Sequence, residues 1–144
     1  MDIILCRRKR SFAASILRFF MMTGASHSAL HDTERREVFD ASFMGRGVRP
    51  HDEAAFFAEY ITIRRIHVEV PPQRMAAARV WLDEQLGKPY DWRCVFGLAL
   101  RRSWQDEEAW HCSELTEAFR SKFGRARFRA DAWRITPHHQ DITL

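Results

Sequence analysis

Residues 27–43 of the 144-residue chain read HSALHDTERREVFDASF, and this stretch decides the fold. Two short runs that contain apolar residues, 27–31 and 37–43, flank the polar tetrapeptide Asp32-Thr33-Glu34-Arg35. A strand, a polar turn and a second strand form a β-hairpin. The stretch therefore predicts an antiparallel pair of strands.

The predicted turn also sets a register for the hairpin. If residues 32–35 form the loop, Leu30 pairs with Glu37, and counting back places His27 opposite Asp40. Directly opposite side chains share a face, with Cβ atoms about 5 Å apart, so a carboxylate there can hold the imidazole and raise its basicity. The alternative is a surface histidine beside a surface aspartate, because a shift of one residue separates the pair.

Further elements are predicted on both sides of the hairpin. Strands are expected at 2–7 and 61–70, the second with a β-bulge at Arg64-Arg65 that turns both of its apolar sets to the core. Amphipathic or apolar periodicity predicts helices at 11–20, 52–60, 73–86, 91–102 and 113–123. The order predicts an α+β fold, a small antiparallel β-sheet packed with helices. With no repeat, low-complexity tract or linker, residues 1–144 are expected to form a single domain.

Composition narrows the classes of protein. Hydrophobic residues make up 46% of the chain and charged residues 29%, an ordinary globular balance. The net charge of +4 suits an anionic envelope polymer or membrane surface as well as nucleic acid. Neither zinc-finger spacing nor an aromatic RNA-binding signature is present, so no specific nucleic-acid partner is predicted. Three widely spaced cysteines do not form a disulfide framework.

The beginning of the chain resembles a signal peptide only in part. Basic residues 7–10 precede a short apolar stretch, but Arg18 interrupts that stretch and apolar residues 3–5 come before the charges. No apolar run approaches the roughly 18 residues that span a bilayer. We therefore expect no transmembrane segment and no clear signal peptide, with synthesis in the cytoplasm.

Cys112 is the candidate nucleophile. It lies at the start of the predicted helix 113–123, where free backbone N–H groups and the positive end of the helix dipole stabilise a thiolate. The same N–H groups can hold a developing oxyanion. The alternative is a small buried hydrophobic residue, which is the commonest role of a lone cysteine.

A nucleophilic cysteine needs a base, and His27 is the best placed of the seven histidines. His67 is expected on the outer face of its strand, and His111 is expected to point away from Cys112. The pair His138-His139 has no second cluster with metal-ligand spacing, so no metal site is predicted.

A second motif, Gly87-Lys88-Pro89-Tyr90-Asp91-Trp92, combines a rigid turn with aromatic side chains. Tyr90 can wall a cleft and supply a phenol hydrogen bond. The alternative is a turn between two helices whose aromatic residues belong to the core.

Four pieces of the sequence together resemble one known family. They are Ser26-His27-Ser28-Ala29-Leu30, Val38-Phe39-Asp40-Ala41, Gly87-Lys88-Pro89-Tyr90-Asp91-Trp92 and Trp110-His111-Cys112-Ser113-Glu114-Leu115. Their order is similar to that of the circularly permuted branch of the NlpC-type, papain-like cysteine peptidases and amidases. In that branch the strand with the histidine comes first, and the cysteine that opens a helix comes late. The resemblance spans roughly residues 3–137.

This resemblance implies a set of roles. Cys112 would be the nucleophile, His27 the base and Asp40 the third polar residue, where the family usually has the longer Glu. Tyr90 and Ser113 would stand at the oxyanion or substrate-binding positions, and no metal or organic cofactor is required. Relatives cleave peptide or amide bonds in cell-wall peptidoglycan, and some act on lipid or other acyl substrates.

The resemblance leaves other functions open. Many relatives occur in phages and prophages, so virion association, other virion proteins as partners, or action at the cell envelope is expected. The chief alternative is a structural protein of a phage tail or neck that keeps the fold with a vestigial site. A weaker one is a basic protein that binds nucleic acid or an anionic surface.

Overall fold

The computed structural model describes residues 1–9, 25–42, 47–99, 104, 106 and 108–142. The predicted helix 11–20 lies outside the described residues. Among the described helices, none combines the length and the apolar character needed to cross a membrane.

Five antiparallel strands form one sheet in the order β4-β3-β2-β1-β5. Their bounds are β1 Asp2–Arg8, β2 His27–Asp32, β3 Glu37–Ser42, β4 Gly47–Asp52 and β5 Tyr60–His67. The predicted hairpin is confirmed as β2 and β3, and the strands predicted at 2–7 and 61–70 are confirmed as β1 and β5. The sequence did not predict β4, which contains Pro50 and lies at the sheet edge, where a missing N–H is tolerated.

The register of the hairpin differs from the prediction by two residues. Leu30 pairs with Phe39 rather than Glu37, because Asp32 continues β2 and the turn comprises residues 33–36. Continuing this register places Ala29 opposite Asp40, so that His27 is a diagonal neighbour of Asp40. A shift of two residues keeps every side chain on its face, whereas a shift of one would have reversed them all.

Helices cover the sheet on both sides. Their bounds are α1 Glu53–Glu59, α2 Pro72–Gln85, α3 Trp92–Ala99, α4 Cys112–Phe123 and α5 Pro137–Ile142, with a 3-10 turn at Ala132–Arg134. Asp52 caps α1 by accepting a hydrogen bond from the Ala55 N–H at 3.1 Å. These positions confirm the α+β prediction. Leu86, the last residue of the predicted helix 73–86, lies just after α2 and is exposed.

The core has two parts, one on each face of the sheet. Leu30 and Phe39 pack with Leu115 and Phe119 of α4 on one face. On the other face, the packed side chains belong to Ile4, Cys6, Ala29, Val38 and Phe56. Since alternate residues of a strand face opposite sides, His27 belongs with Ala29 to the α1 face.

The prediction for β5 is partly wrong. Leu5 pairs with Arg64 and Cys6 with Thr62, so the bulge residue is Ile63 rather than Arg64-Arg65. Ile63 is therefore unpaired and 39% exposed. Ile61 is also 39% exposed, because it pairs with Arg7 near the end of β1, where the burial of that strand decreases. These two residues do not join the core.

The turn at residues 87–89 closes on β4. The Val48 N–H donates to the Lys88 carbonyl at 2.9 Å, and the Gly87 N–H donates to the Val48 carbonyl at 3.0 Å. Gly47 lies under this turn with φ +129°, and a Cβ atom there would lie 2.2 Å from the Lys88 carbonyl oxygen. Glycine is therefore required at position 47, for backbone conformation and for space.

Candidate active site

Cys112 is the first residue of α4, and the helix start is held by its neighbour. His111 is the N-cap: its Nδ1 accepts from the Glu114 N–H, and its own N–H donates to Glu114 Oε2, both at 3.4 Å. This reciprocal capping box fixes the chain as it enters the helix. The N–H groups of Cys112 and Ser113 have no acceptor within the helix, and they lie at its positive end.

His27 is held by Asp40 across the hairpin. Its Nε2 lies 2.6 Å from Asp40 Oδ2, and Asp40 is only 1% exposed. The His27 ring also lies close enough to the Cys112 thiol for each group to shift the pKa of the other, although His27 belongs to the sheet face opposite α4. His27 is the first residue of β2, so its ring lies at the end of the sheet. Because Nε2 is engaged by Asp40, Nδ1 is the nitrogen that remains for the thiol.

The charges of the three groups stabilise one another. Burial alone would lower the pKa of His27, but the hydrogen bonds and negative charges of Asp40 and Cys112 raise it to about 10. Burial alone would raise the pKa of Cys112, but hydrogen bonds from His111 and His27 and their charges hold it well below the ordinary thiol value. Burial opposes ionisation of Asp40 too, yet the two histidines beside it lower its pKa. The arrangement favours a thiolate beside an imidazolium.

Two supporting residues were not found from the sequence. His51 Nε2 lies 2.8 Å from Asp40 Oδ1, so that each carboxylate oxygen of Asp40 meets one imidazole. Tyr60 stacks on the His27 ring with centroids 5.5 Å apart. His51 lies on the unpredicted strand β4, opposite Val38, and no sequence signal placed it near the hairpin.

The prediction that His111 points away from Cys112 is wrong. Burial lowers the pKa of His111, but its hydrogen bonds to the Cys112 and Cys94 thiols outweigh burial and raise it to about 10. Its Nε2 lies 2.9 Å from the Trp133 carbonyl oxygen, which can only accept, so Nε2 carries a proton. Protonation of Nδ1 ends its role as acceptor for the Glu114 N–H, and Nδ1 can then donate to Ser113 Oγ at 3.2 Å instead. Two imidazoles therefore adjoin the thiol.

Tyr90 and Ser113 differ in what their side chains can do. The backbone of Tyr90 forms a parallel β-bridge with that of Trp110. Burial and the charge of Cys112 raise the pKa of Tyr90, so its phenol stays protonated near the thiolate. The Ser113 hydroxyl is fully buried and donates to the Ile135 carbonyl at 2.6 Å. Because the hydroxyl is engaged, only the backbone N–H of Ser113 can make the contact with substrate that the sequence predicts.

Within the described part of the chain, no three His, Cys, Asp or Glu side chains are grouped so as to hold a metal ion.

No protein-family model, curated protein or solved structure matches this chain.

Proposed function

We propose that this chain is a papain-like cysteine hydrolase that cleaves peptide or amide bonds, with cell-wall peptidoglycan as its substrate. One observation carries the proposal: the His27 imidazole connects a buried carboxylate, Asp40, with a cysteine at a helix N-terminus, Cys112. A nucleophile, a base and a group that orients the base are the parts that covalent acyl transfer requires. The substrate class comes from the family resemblance.

The reaction follows from these positions. The Cys112 thiolate attacks the carbonyl carbon, and the N–H groups of Cys112 and Ser113, with the Tyr90 phenol, stabilise the oxyanion. As the C–N bond breaks, the His27 imidazolium gives its proton to the leaving amine. Water then attacks the thioester, His27 takes its proton, and the acid product leaves as the Cys112 thiolate and the His27 imidazolium are restored.

Asp40 and Tyr60 orient the base. The Asp40 carboxylate keeps the proton on His27 Nε2, which leaves Nδ1 to exchange its proton with the thiol and the leaving group. Tyr60 limits rotation of the ring by stacking on it. His51 holds the second oxygen of Asp40, so we assign it a positioning role, acting through Asp40 rather than on the substrate.

The second candidate is a structural protein that retains this fold. One observation favours it: Cys112 is only 7% exposed. A thiol so enclosed would react slowly with a large polymer unless the entrance opens.

The decisive experiment is incubation with purified peptidoglycan, followed by mass spectrometry of the soluble fragments. Wild type should release fragments with new amine and carboxylate ends, and Cys112→Ala should release none. Cys6→Ala is the matched control, since it removes another buried thiol and keeps the nucleophile. Wild type that releases no more than Cys112→Ala, with both proteins folded, would favour the structural role.

A further inference from the structure

A cavity rich in arginine lies by the end of α4 remote from Cys112. Its volume is about 430 Å³, and the described residues that line it are Arg64, Arg65, Ile66, Arg120, Arg125, Ala126 and Arg127. Arg120 follows Cys112 by eight helical residues, which corresponds to about 12 Å along the axis. The cavity is therefore distinct from the candidate active site.

The positive charge of this cavity is only partly balanced. The guanidinium of Arg65 is turned to the α1 face, where it contacts Asp2 and His31. Of the other four arginines, two have a carboxylate within 4.0 Å, in the pairs Arg64–Asp141 and Arg127–Glu117. The contact to Glu117 is the longer, and burial raises the pKa of that carboxyl. Within the described ranges, no carboxylate lies that close to the guanidinium of Arg120 or Arg125. An excess of about two positive charges therefore remains.

Two guanidinium nitrogens of the lining have no acceptor. Arg120 Nη1 and Arg127 Nε are buried, and the described part of the chain offers neither of them a hydrogen-bond partner. The Arg127 side chain is 11% exposed, and burial together with the charges of Arg120 and Arg64 lowers its pKa. A buried donor without an acceptor destabilises the fold, and it does so more strongly when it is charged. Such an arrangement is stabilised by an anion that accepts these hydrogen bonds.

A second cavity adjoins the first. Its volume is about 710 Å³, and it shares Arg120 and Arg125 with the first cavity. Val68, Val70 and Phe123 contribute apolar surface to it. Each of the two cavities exceeds what an inorganic ion needs and lies in the volume range of small-molecule sites.

We propose that the arginine-lined cavity binds the phosphate group of a small organic phosphate ester, whose organic part lies in the adjoining cavity. Guanidinium groups match phosphate oxygens with paired hydrogen bonds, and the excess of positive charge favours a dianion over a monocarboxylate. Arg120 and Arg127 supply the two buried donors. The site needs neither Cys112 nor His27, so it stands independently of the hydrolase proposal.

Isothermal titration calorimetry with adenosine monophosphate tests the proposal on the full chain. Inorganic phosphate and acetate, at matched ionic strength, are the comparison ligands. We expect saturable binding of adenosine monophosphate, weaker binding of phosphate, and affinity for acetate at least tenfold lower than for adenosine monophosphate. Equal affinity for acetate, or no saturable binding of any anion, would overturn the proposal.

Three substitutions locate the site. Arg120→Gln should weaken binding at least tenfold, and Arg120→Lys, which keeps the charge but loses the planar fork, should weaken it less. Arg36→Gln is the matched control, because it removes one positive charge from the hairpin turn and leaves the lining intact. Equal loss in Arg36→Gln would indicate general charge attraction and contradict the site.

Thermal unfolding separates a ligand site from a structural cluster. Without ligand, Arg120→Gln should leave Tm unchanged or raise it, because the repulsion between Arg120 and Arg127 is relieved. With adenosine monophosphate, wild type and Cys112→Ala should gain stability, and Arg120→Gln should not. If Arg120→Gln lowers Tm and the ligand stabilises no variant, the arginines are structural. If Arg120→Gln does not fold, Arg120→Lys supplies the comparison.

Discussion

The hairpin of β2 and β3 carries two buried aspartates, of which one is paired with imidazoles and the other with a guanidinium. Asp40 is 1% exposed and contacts two imidazoles, whereas Asp32 is 2% exposed and receives two hydrogen bonds from the Arg79 guanidinium at 2.7 and 3.1 Å. Their partners lower the pKa of both carboxyls. An imidazole can take up or release a proton, whereas the guanidinium of Arg79 stays charged. In the proposed reaction, Asp40 therefore supports proton transfer, whereas Asp32, the same residue type eight positions earlier, holds fixed structure.

The backbone contacts of Asp32 support this distinction. Its Oδ1 also accepts hydrogen bonds from the N–H groups of Glu34 and Arg35, at 3.1 and 3.3 Å. Asp32 thus organises the turn while it anchors α2 through Arg79. The comparison predicts that substitutions at position 40 change activity and substitutions at position 32 change stability.

The largest expected effect is on catalysis. Asp40→Asn should lower kcat/KM for peptidoglycan fragments by about 10³-fold, because the amide does not hold the required tautomer of His27. Asp32→Asn should leave kcat/KM within about twofold at a temperature where the protein is folded, since only a structural contact changes. Steady-state assays of fragment release measure both values. Comparable losses from the two substitutions would remove the distinction.

For the free energy of unfolding, the substitution at position 32 is expected to have a larger effect than the substitution at position 40. Asp32→Ala should lower the free energy of unfolding by about 3 kcal/mol, because it leaves the part-buried Arg79 without its carboxylate and the turn without its acceptor. Asp40→Asn keeps the shape and should cost about 1 kcal/mol. Urea denaturation followed by fluorescence measures the two differences, with wild type as reference. A larger cost at position 40 would contradict the assignment of Asp32 as the structural partner.

The reactivity of the Cys112 thiol should depend on Asp40 and not on Asp32, as is expected for catalysis. Iodoacetamide at pH 6 should label Cys112 before Cys6, whose pKa is raised by burial. Asp40→Asn should slow labelling of Cys112 by about tenfold, equivalent to about one pKa unit of thiolate stabilisation. His27→Ala should slow it further, and Asp32→Asn should not affect it. Peptide mapping by mass spectrometry gives the rates, and uniform labelling in all variants would make Cys112 an ordinary thiol.

The smallest effect concerns stability at alkaline pH, and it is best measured in a Cys112→Ala background. The folded pKa of His27 in the intact site, about 10, exceeds its unfolded value of about 6.5. The stabilisation is therefore complete below pH 6.5 and is lost as pH rises toward the folded pKa. Without the thiol the loss should be about 1–2 kcal/mol, because Asp40 alone then raises the pKa.

Two variants in this background provide the control. Asp40→Asn should abolish most of the alkaline decline, whereas Asp32→Asn should retain it, since Arg79 does not titrate in that range. Thermal unfolding at intervals from pH 6 to 10 measures the decline. An undiminished decline in Asp40→Asn would mean that another group causes it.

The sequence predicted the contact between His27 and Asp40 with the wrong register. Periodicity of two assigns each side chain to a face, and an error of two residues leaves that assignment unchanged. The point at which β2 ends was not predictable, because Asp32 resembles a turn residue until Arg79, 47 positions later, supplies its partner. The local sequence therefore predicted which face of the sheet each side chain of the hairpin occupies. A tertiary contact, that of Asp32 with Arg79, determined where β2 ends.

His51 and His111 show other reasons for failure. His51 lies beside Pro50, which argues against a strand, and only the position of β4 at the sheet edge removes that objection. His111 precedes the helix, where serine, threonine or aspartate is the usual cap, so its capping geometry was not expected. Cys112, by contrast, was identifiable because the start of α4 is encoded locally.

The turn that closes on β4 also determines how the sheet meets other chains. An edge strand with free N–H and C=O groups is a template for edge-to-edge association and aggregation. At Val48 both backbone groups are engaged by the turn at 87–89, and Pro50 has no N–H to offer. A side chain at Gly47 would push this turn away and uncover the edge. Gly47 therefore keeps the edge strand β4 covered and limits self-association, a function separate from any catalytic role.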